Sequence, residues 1–130
     1  MFYSPAFAGN ASKRYAAVHA GSRIESASPH GLVKLLFDEL MLAMDASALS
    51  FDQGDLVKAR DKQVRALSIV HALEGSLDFD NGGDIAISLA QIYRETRRLM
   101  VLSCEESQPA HIRKAHALIV EIAEAWNSIA

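Results

Sequence analysis

The sequence predicts an all-α protein, an antiparallel up-down-up-down four-helix bundle preceded by a short N-terminal segment. Three observations predict it. Apolar residues recur at helical spacing in four stretches after residue 28. No stretch alternates apolar and polar residues over the length of a strand. The breaks between stretches are short, five to eight residues, and such connections join antiparallel neighbours. Helices of about 20 to 25 residues would each span roughly 30 to 37 Å at 1.5 Å per residue. A chain of 130 residues fits one domain and can bury a core without disulfides or a metal.

Residues 1–27 form the N-terminal segment, a partly disordered stretch or short helix. Pro5, Gly9 and Gly21 break it, leaving room for one short helix between Asn10 and Ala20 that would be unstable alone in water. Phe2, Tyr3, Phe7 and Tyr15 nevertheless place half of the chain's Phe and Tyr side chains here. That much aromatic area is expected to dock, and the apolar helix that follows offers a place for it.

The bundle occupies residues 28–130, and its first helix organises the rest. Ser28 can accept the free N–H groups of a first turn, and Pro29 at the first helical position loses no hydrogen bond, so the helix starts at Pro29. At about 100° per residue, Leu32, Leu36, Leu40 and Ala43 form one stripe, with Val33, Phe37, Met41, Met44 and Ala48 beside it. A third row, Leu35, Leu42 and Leu49, stands apart at heptad spacing, between the directions of Asp38 and Glu39. One core cannot easily face all three rows. The helix is either central and buried all round, or it holds part of its surface for another chain.

Phe51-Asp52-Gln53-Gly54-Asp55 makes the first turn, with Gly54 suited to a left-handed end and Asp55 to capping the second helix, about Leu56 to Leu77. That helix is amphipathic: Ala59, Ala66, Val70 and Leu73 lie on one face, and Lys58, Arg60, Asp61 and Arg65 on the other. Asp78-Phe79-Asp80-Asn81-Gly82-Gly83-Asp84 is the strongest breaker in the chain, with Asp84 expected to cap the third helix, about Ile85 to Cys104. Its expected core stripe includes Ile85, Leu89, Ile92, Tyr93, Thr96 and Leu99. Pro109 opens the fourth, where Ile112, Ala115, Ile119, Ile122, Trp126 and Ile129 keep the period.

A net charge of −3 argues against a broad nucleic-acid surface, since phosphate binding needs clustered cations, and Arg94, Arg97 and Arg98 read as a solvated face. A single cysteine, Cys104, excludes an internal disulfide and suits a reducing compartment. No stretch reaches the roughly 18 uninterrupted apolar residues of a membrane span, and the N-terminus lacks the pattern of a secretory leader. These features predict a cytoplasmic protein without stable membrane insertion.

The residues call for no catalysis, no cofactor and no metal. A di-metal centre in a bundle needs Glu-x-x-His pairs, and none occurs. His111 and His116 are five apart and cannot share a helix face as zinc ligands do. The sharpest catalytic suggestion is Val70-His71-Ala72-Leu73-Glu74-Gly75-Ser76, which resembles the phosphorylated stretch of histidine-containing phosphotransfer domains. In those domains a lysine offsets the phosphate; here Glu74 stands in its place and would repel it. His71 then reads as a partly exposed histidine beside the core, and phosphotransfer through His71 is the alternative function.

Two blocks carry a stronger resemblance. The first is Tyr15 followed by Ile24-x-x-Ala27-Ser28-Pro29-x-x-Leu32-Val33-x-x-Leu36-Phe37-Asp38. The second is Ser76-Leu77-Asp78-Phe79-x-x-Gly82-Gly83-x-Ile85-Ala86-x-x-Leu89-x-x-Ile92-Tyr93, with Trp126 as a late tryptophan. In this order they resemble the flagellin-specific export chaperones of the bacterial flagellar secretion system, from about Tyr15 to Trp126. The resemblance implies a helical bundle that binds the C-terminal segment of newly made flagellin, prevents its premature polymerisation and delivers it to a component of the flagellar type III export gate. It also implies a mobile N-terminal cap.

The surplus apolar row agrees with that implication, because a disordered client that folds into amphipathic helices needs exposed grooves. The expected partner-binding residues are Leu35, Leu42 and Leu49, with Tyr15, Ile24 and Leu32 near the upper end of the groove. Tyr93 joins them if its hydroxyl reaches a polar partner. The same surface could also pair two copies as a homodimer.

Overall fold

The computed structural model describes residues 28–129, so the expected N-terminal segment, with Tyr15 and Ile24, lies outside the described residues. Four helices follow in order: α1 (Pro29–Asp52), α2 (Leu56–Gly75), α3 (Phe79–Glu106) and α4 (Ala110–Ser128). Connections of three residues join them, shorter than the sequence suggests because each helix runs into its flanking turn. α1 packs on α2 and α4, and α3 packs on α4 and, least extensively, on α2. The four therefore form a closed ring of antiparallel neighbours, the bundle that the periodicity predicts.

Local chemistry sets the helix ends. The Ser28 hydroxyl accepts from the Gly31 N–H at 3.1 Å, and Pro29 occupies the first turn of α1. Gly54, at φ +76°, takes the left-handed position that lets Asp55 N–H reach back to the Ser50 carbonyl at 2.9 Å. The Asp55 carboxylate then accepts from Lys58 N–H at 3.1 Å and caps α2. α2 stops at Gly75, two residues before Leu77, because the Ser76 hydroxyl and N–H both bond the Leu73 carbonyl.

The breaker before α3 differs from the sequence expectation. Asp78, not Asp84, is the cap: its carboxylate accepts from Asn81 N–H at 3.1 Å and from the Asn81 side-chain amide at 2.7 Å. Residues 79–82 form a helical turn, and Gly83, at φ 50° and ψ −127°, then breaks the helix and redirects it. Only a glycine reaches that conformation without strain. Pro109 supplies no side-chain cap to α4, but the Gln108 side chain accepts from Ala110 N–H at 2.8 Å and the Ser103 hydroxyl accepts from Ile112 N–H at 2.9 Å.

The core is apolar and centred on α1. Leu36, Phe37, Leu40 and Met44 meet Leu73 of α2, Tyr93 and Met100 of α3, and Ile112 and Ile119 of α4, all with almost no exposure. Both inner stripes expected of α1 are buried except Met41, which is partly covered. Burying a side chain of this size contributes roughly 1.5–3 kcal/mol, so these contacts are the main force holding the ring closed. Two polar side chains enter the core from α2 and α3, Gln63 and Thr96. The Gln63 amide donates to the Met100 carbonyl at 2.9 Å, while Gln63 Oε1 and Thr96 Oγ1 are buried without a hydrogen-bond partner among the described residues.

Candidate functional site

The third row of α1 is the exception to this burial. Leu42 is 63% exposed and Leu49 55%, and Leu35 is half-buried. They lie on the side of α1 opposite Leu36 and Leu40, so they take no part in the core. The row runs for about 21 Å along the helix, four turns at 1.5 Å per residue. A single exposed leucine needs no explanation, but a row at heptad spacing makes a continuous apolar strip.

Ion pairs frame the strip on both sides. On one flank Asp38 pairs with Lys34 at 3.2 Å and Asp52 with Arg113 of α4, and Asp45 stands 3.3 Å from the His116 ring nitrogen of α4. On the other flank Glu39 pairs with Arg65 of α2 at 3.1 Å. Exposed pairs of this kind add little stability. They do occupy the charges beside the strip, so an incoming apolar segment would meet leucine flanked by paired groups rather than bare carboxylates.

The remaining residues expected at the site fall elsewhere. Leu32 is 3% exposed and Tyr93 fully buried, so both stand in the core with no face open to a docked segment. Leu32 shares the inner row of Leu36 and Leu40, and Tyr93 lies on the buried face of α3. The structure therefore brings Leu35, Leu42 and Leu49 together on one surface and separates Leu32 and Tyr93 from it. Tyr15 and Ile24 precede the described residues.

A second apolar surface escaped the sequence reading. Ile85 and Ile129, expected in core stripes, are 54% and 62% exposed, and Ile92 and Ile122 are only partly buried. Between α3 and α4 a cleft of about 230 Å³ is lined by Glu95, Leu99, Lys114 and Leu118. Helical period gives the direction of a side chain but not whether a neighbour extends far enough to cover it. The lengths that decide this, 28 residues in α3 and 19 in α4, are set in the folded bundle and carry no signal in the local pattern.

The three histidines weighed in the sequence stand apart from one another among the described residues. His71 is exposed on α2, and Glu74, the residue that departs from the phosphotransfer pattern, forms an ion pair with Arg97 of α3. His111 and His116 face different carboxylates, Glu106 at 3.1 Å and Asp45 at 3.3 Å. Among the described residues no group of three His, Cys, Asp or Glu side chains is placed to hold a metal ion, and no helix is long and apolar enough to cross a membrane.

A small helical bundle with an apolar strip outside its own core defines a polypeptide-docking protein. The sequence model of the family described as flagellar protein FliS matches residues 11–130, and the chain belongs to that family. It is 34% identical over 118 residues to the flagellar secretion chaperone FliS of Salmonella typhimurium, covering 90% of this chain and 87% of that protein. It is 27% identical to the protein of the same name from Vibrio cholerae, covering 88% and 85%. The chain is thus an export chaperone of the flagellar secretion system.

Proposed function

We propose that this chain, acting in the cytoplasm and without catalysis, captures the C-terminal segment of newly made flagellin. It holds that segment from premature polymerisation and passes it to the flagellar type III export apparatus. The observation that carries the reading is the exposed row Leu42–Leu49 with Leu35, an apolar surface that the bundle does not use for its own stability.

A client segment that is disordered when free gains affinity by folding against such a strip, with its apolar side chains at i, i+3, i+4 and i+7 set between the leucines. Tyr15 and Ile24 belong to the proposed contact set as parts of an N-terminal cover that leaves when the client arrives. Leu32 and Tyr93 join it only where a guest parts α1 from its neighbours.

The test is capture of a labelled flagellin C-terminal peptide, read by fluorescence anisotropy. Leu42→Asp is expected to weaken capture at least tenfold while helicity by circular dichroism stays unchanged, and His71→Ala is expected to bind as the parent does. Unchanged capture by Leu42→Asp, or lost capture by His71→Ala, would overturn the proposal.

A further inference from the structure

The seam between α3 and α4 carries a docking groove of its own, on another side of the bundle from the α1 strip. The two helices run antiparallel, as the Ser103 hydroxyl bonded to Ile112 N–H and the Glu106–His111 pair at their joined ends require. Leu99 and Leu118 share the cleft between them. From that level, seven residues back along α3 stands Ile92, and four residues forward along α4 stands Ile122, both partly exposed. One further step on each helix reaches the exposed Ile85 and Ile129. At 1.5 Å per residue the apolar floor is about 20 Å long, enough for roughly four turns of a partner helix.

Charge on the rim identifies the occupant. Lys114 and Glu121 are exposed, seven residues apart on α4, and therefore stand on nearly one line about 10 Å apart along the groove. At the cleft, Glu95 is already bonded to Arg98 at 2.9 Å, and this bond holds its carboxyl below the usual range. Lys114 lies close enough to add to that lowering, so two cations surround one carboxylate there. The rim is thus positive at the Leu99–Leu118 cleft and negative at Glu121, two turns away.

We infer that this groove takes an amphipathic helix from a second protein, one whose apolar face is flanked by a carboxylate and a basic residue seven positions apart. A leucine-sized anchor enters the cleft beside Lys114. The carboxylate lies against Lys114 and the basic residue against Glu121. The N-terminal segment of this chain is a poor match, since it carries Lys13, Arg14 and Arg23 and no carboxylate before Glu25.

The test uses three labelled synthetic amphipathic peptides with a common leucine face and, at the two flank positions, Glu with Lys, Lys with Lys, or Glu with Glu. Against the full chain the mixed peptide is expected to bind best, by about 1.5-fold to fivefold over either like-charged peptide, the range of one exposed ion pair. Lys114→Glu leaves a doubly negative rim and is expected to move the preference to the Lys-Lys peptide. Leu118→Ala is expected to weaken all three, and Lys114→Glu carries the test if Leu118→Ala fails to fold. Binding of none of the peptides, equal binding of all three, or an unchanged order in Lys114→Glu would overturn the inference. So would tightest binding of the Lys-Lys peptide to the parent chain, which points to the basic N-terminal segment, or a sedimentation change in Lys114→Glu, which points to a second copy. Leu42→Asp separates this groove from the α1 strip, because it is expected to remove only binding at the strip and to leave the order of preference among the three peptides unchanged, whatever it does to flagellin capture.

Discussion

Trp126, near the end of α4, holds the first turn of α1 through His30. The indole N–H donates to the His30 carbonyl at 3.0 Å, and the two rings stack with centroids 4.5 Å apart and planes 9° from parallel. The same indole meets Phe37 edge-on at 6.4 Å, so one side chain joins the start of α1 to the core. His30 lies in the first turn of α1, so this bond fixes where the start of α1 sits against α4. Trp126→Phe keeps a ring and removes the donor. It is expected to cost about 1–2 kcal/mol, the worth of a part-buried hydrogen bond and some stacking, measured by urea denaturation.

Thr96 of α3 is the opposite case. It is fully buried and its hydroxyl has no partner among the described residues. A buried polar group that makes no hydrogen bond forfeits its hydration without return. Thr96→Val keeps the shape and removes that penalty, so it is expected to raise stability by about 1 kcal/mol and to shift the thermal midpoint upward. A fall in the midpoint would show that the hydroxyl is satisfied in solution.

The two sides of α1 should respond differently to substitution. Leu36→Ala opens a cavity at a residue 1% exposed and is expected to cost about 2–5 kcal/mol. Leu49→Asp changes a residue that is 55% exposed and is expected to cost under about 1 kcal/mol, mainly in helix propensity. Capture of the flagellin peptide should fall in Leu49→Asp, and a large stability loss there would place the row in the core.

Asp78 makes stability depend on acid pH. Its carboxyl is held below the ordinary aspartate range, first by the Asn81 side-chain amide and then by the Asn81 backbone N–H, both of which favour the charged form. A group whose pKa is lowered by folding contributes stability above its unfolded value and loses it as pH falls through the folded one. Asp78→Ala should therefore melt below the parent at neutral pH, with the gap closing as pH falls through and below the ordinary aspartate range. A constant gap across that range would mean that the cap acts without its charge.

Much of this protein is legible from residue order alone. Ser28-Pro29 and Gly54-Asp55 marked helix ends where the structure has them, because caps and left-handed turns are decided by residues a few positions apart. The heptad row Leu35, Leu42 and Leu49 could likewise be separated from the inner stripes of α1, since the angle around a helix follows directly from sequence spacing.

Other features were decided only by tertiary packing. Asp84 was the expected cap, yet the helix begins at Phe79 under Asp78 and is redirected at Gly83. Ile85 and Ile129 have core spacing yet stand exposed, while Leu32 and Tyr93, expected at the binding surface, are sealed inside. The hydrogen bond between Trp126 and His30 joins residues 96 positions apart and has no local signature. Periodicity gives the direction a side chain points from its own axis. Whether another helix lies there, and how far along it reaches, depends on lengths, turns and contacts that exist only once the four helices have met.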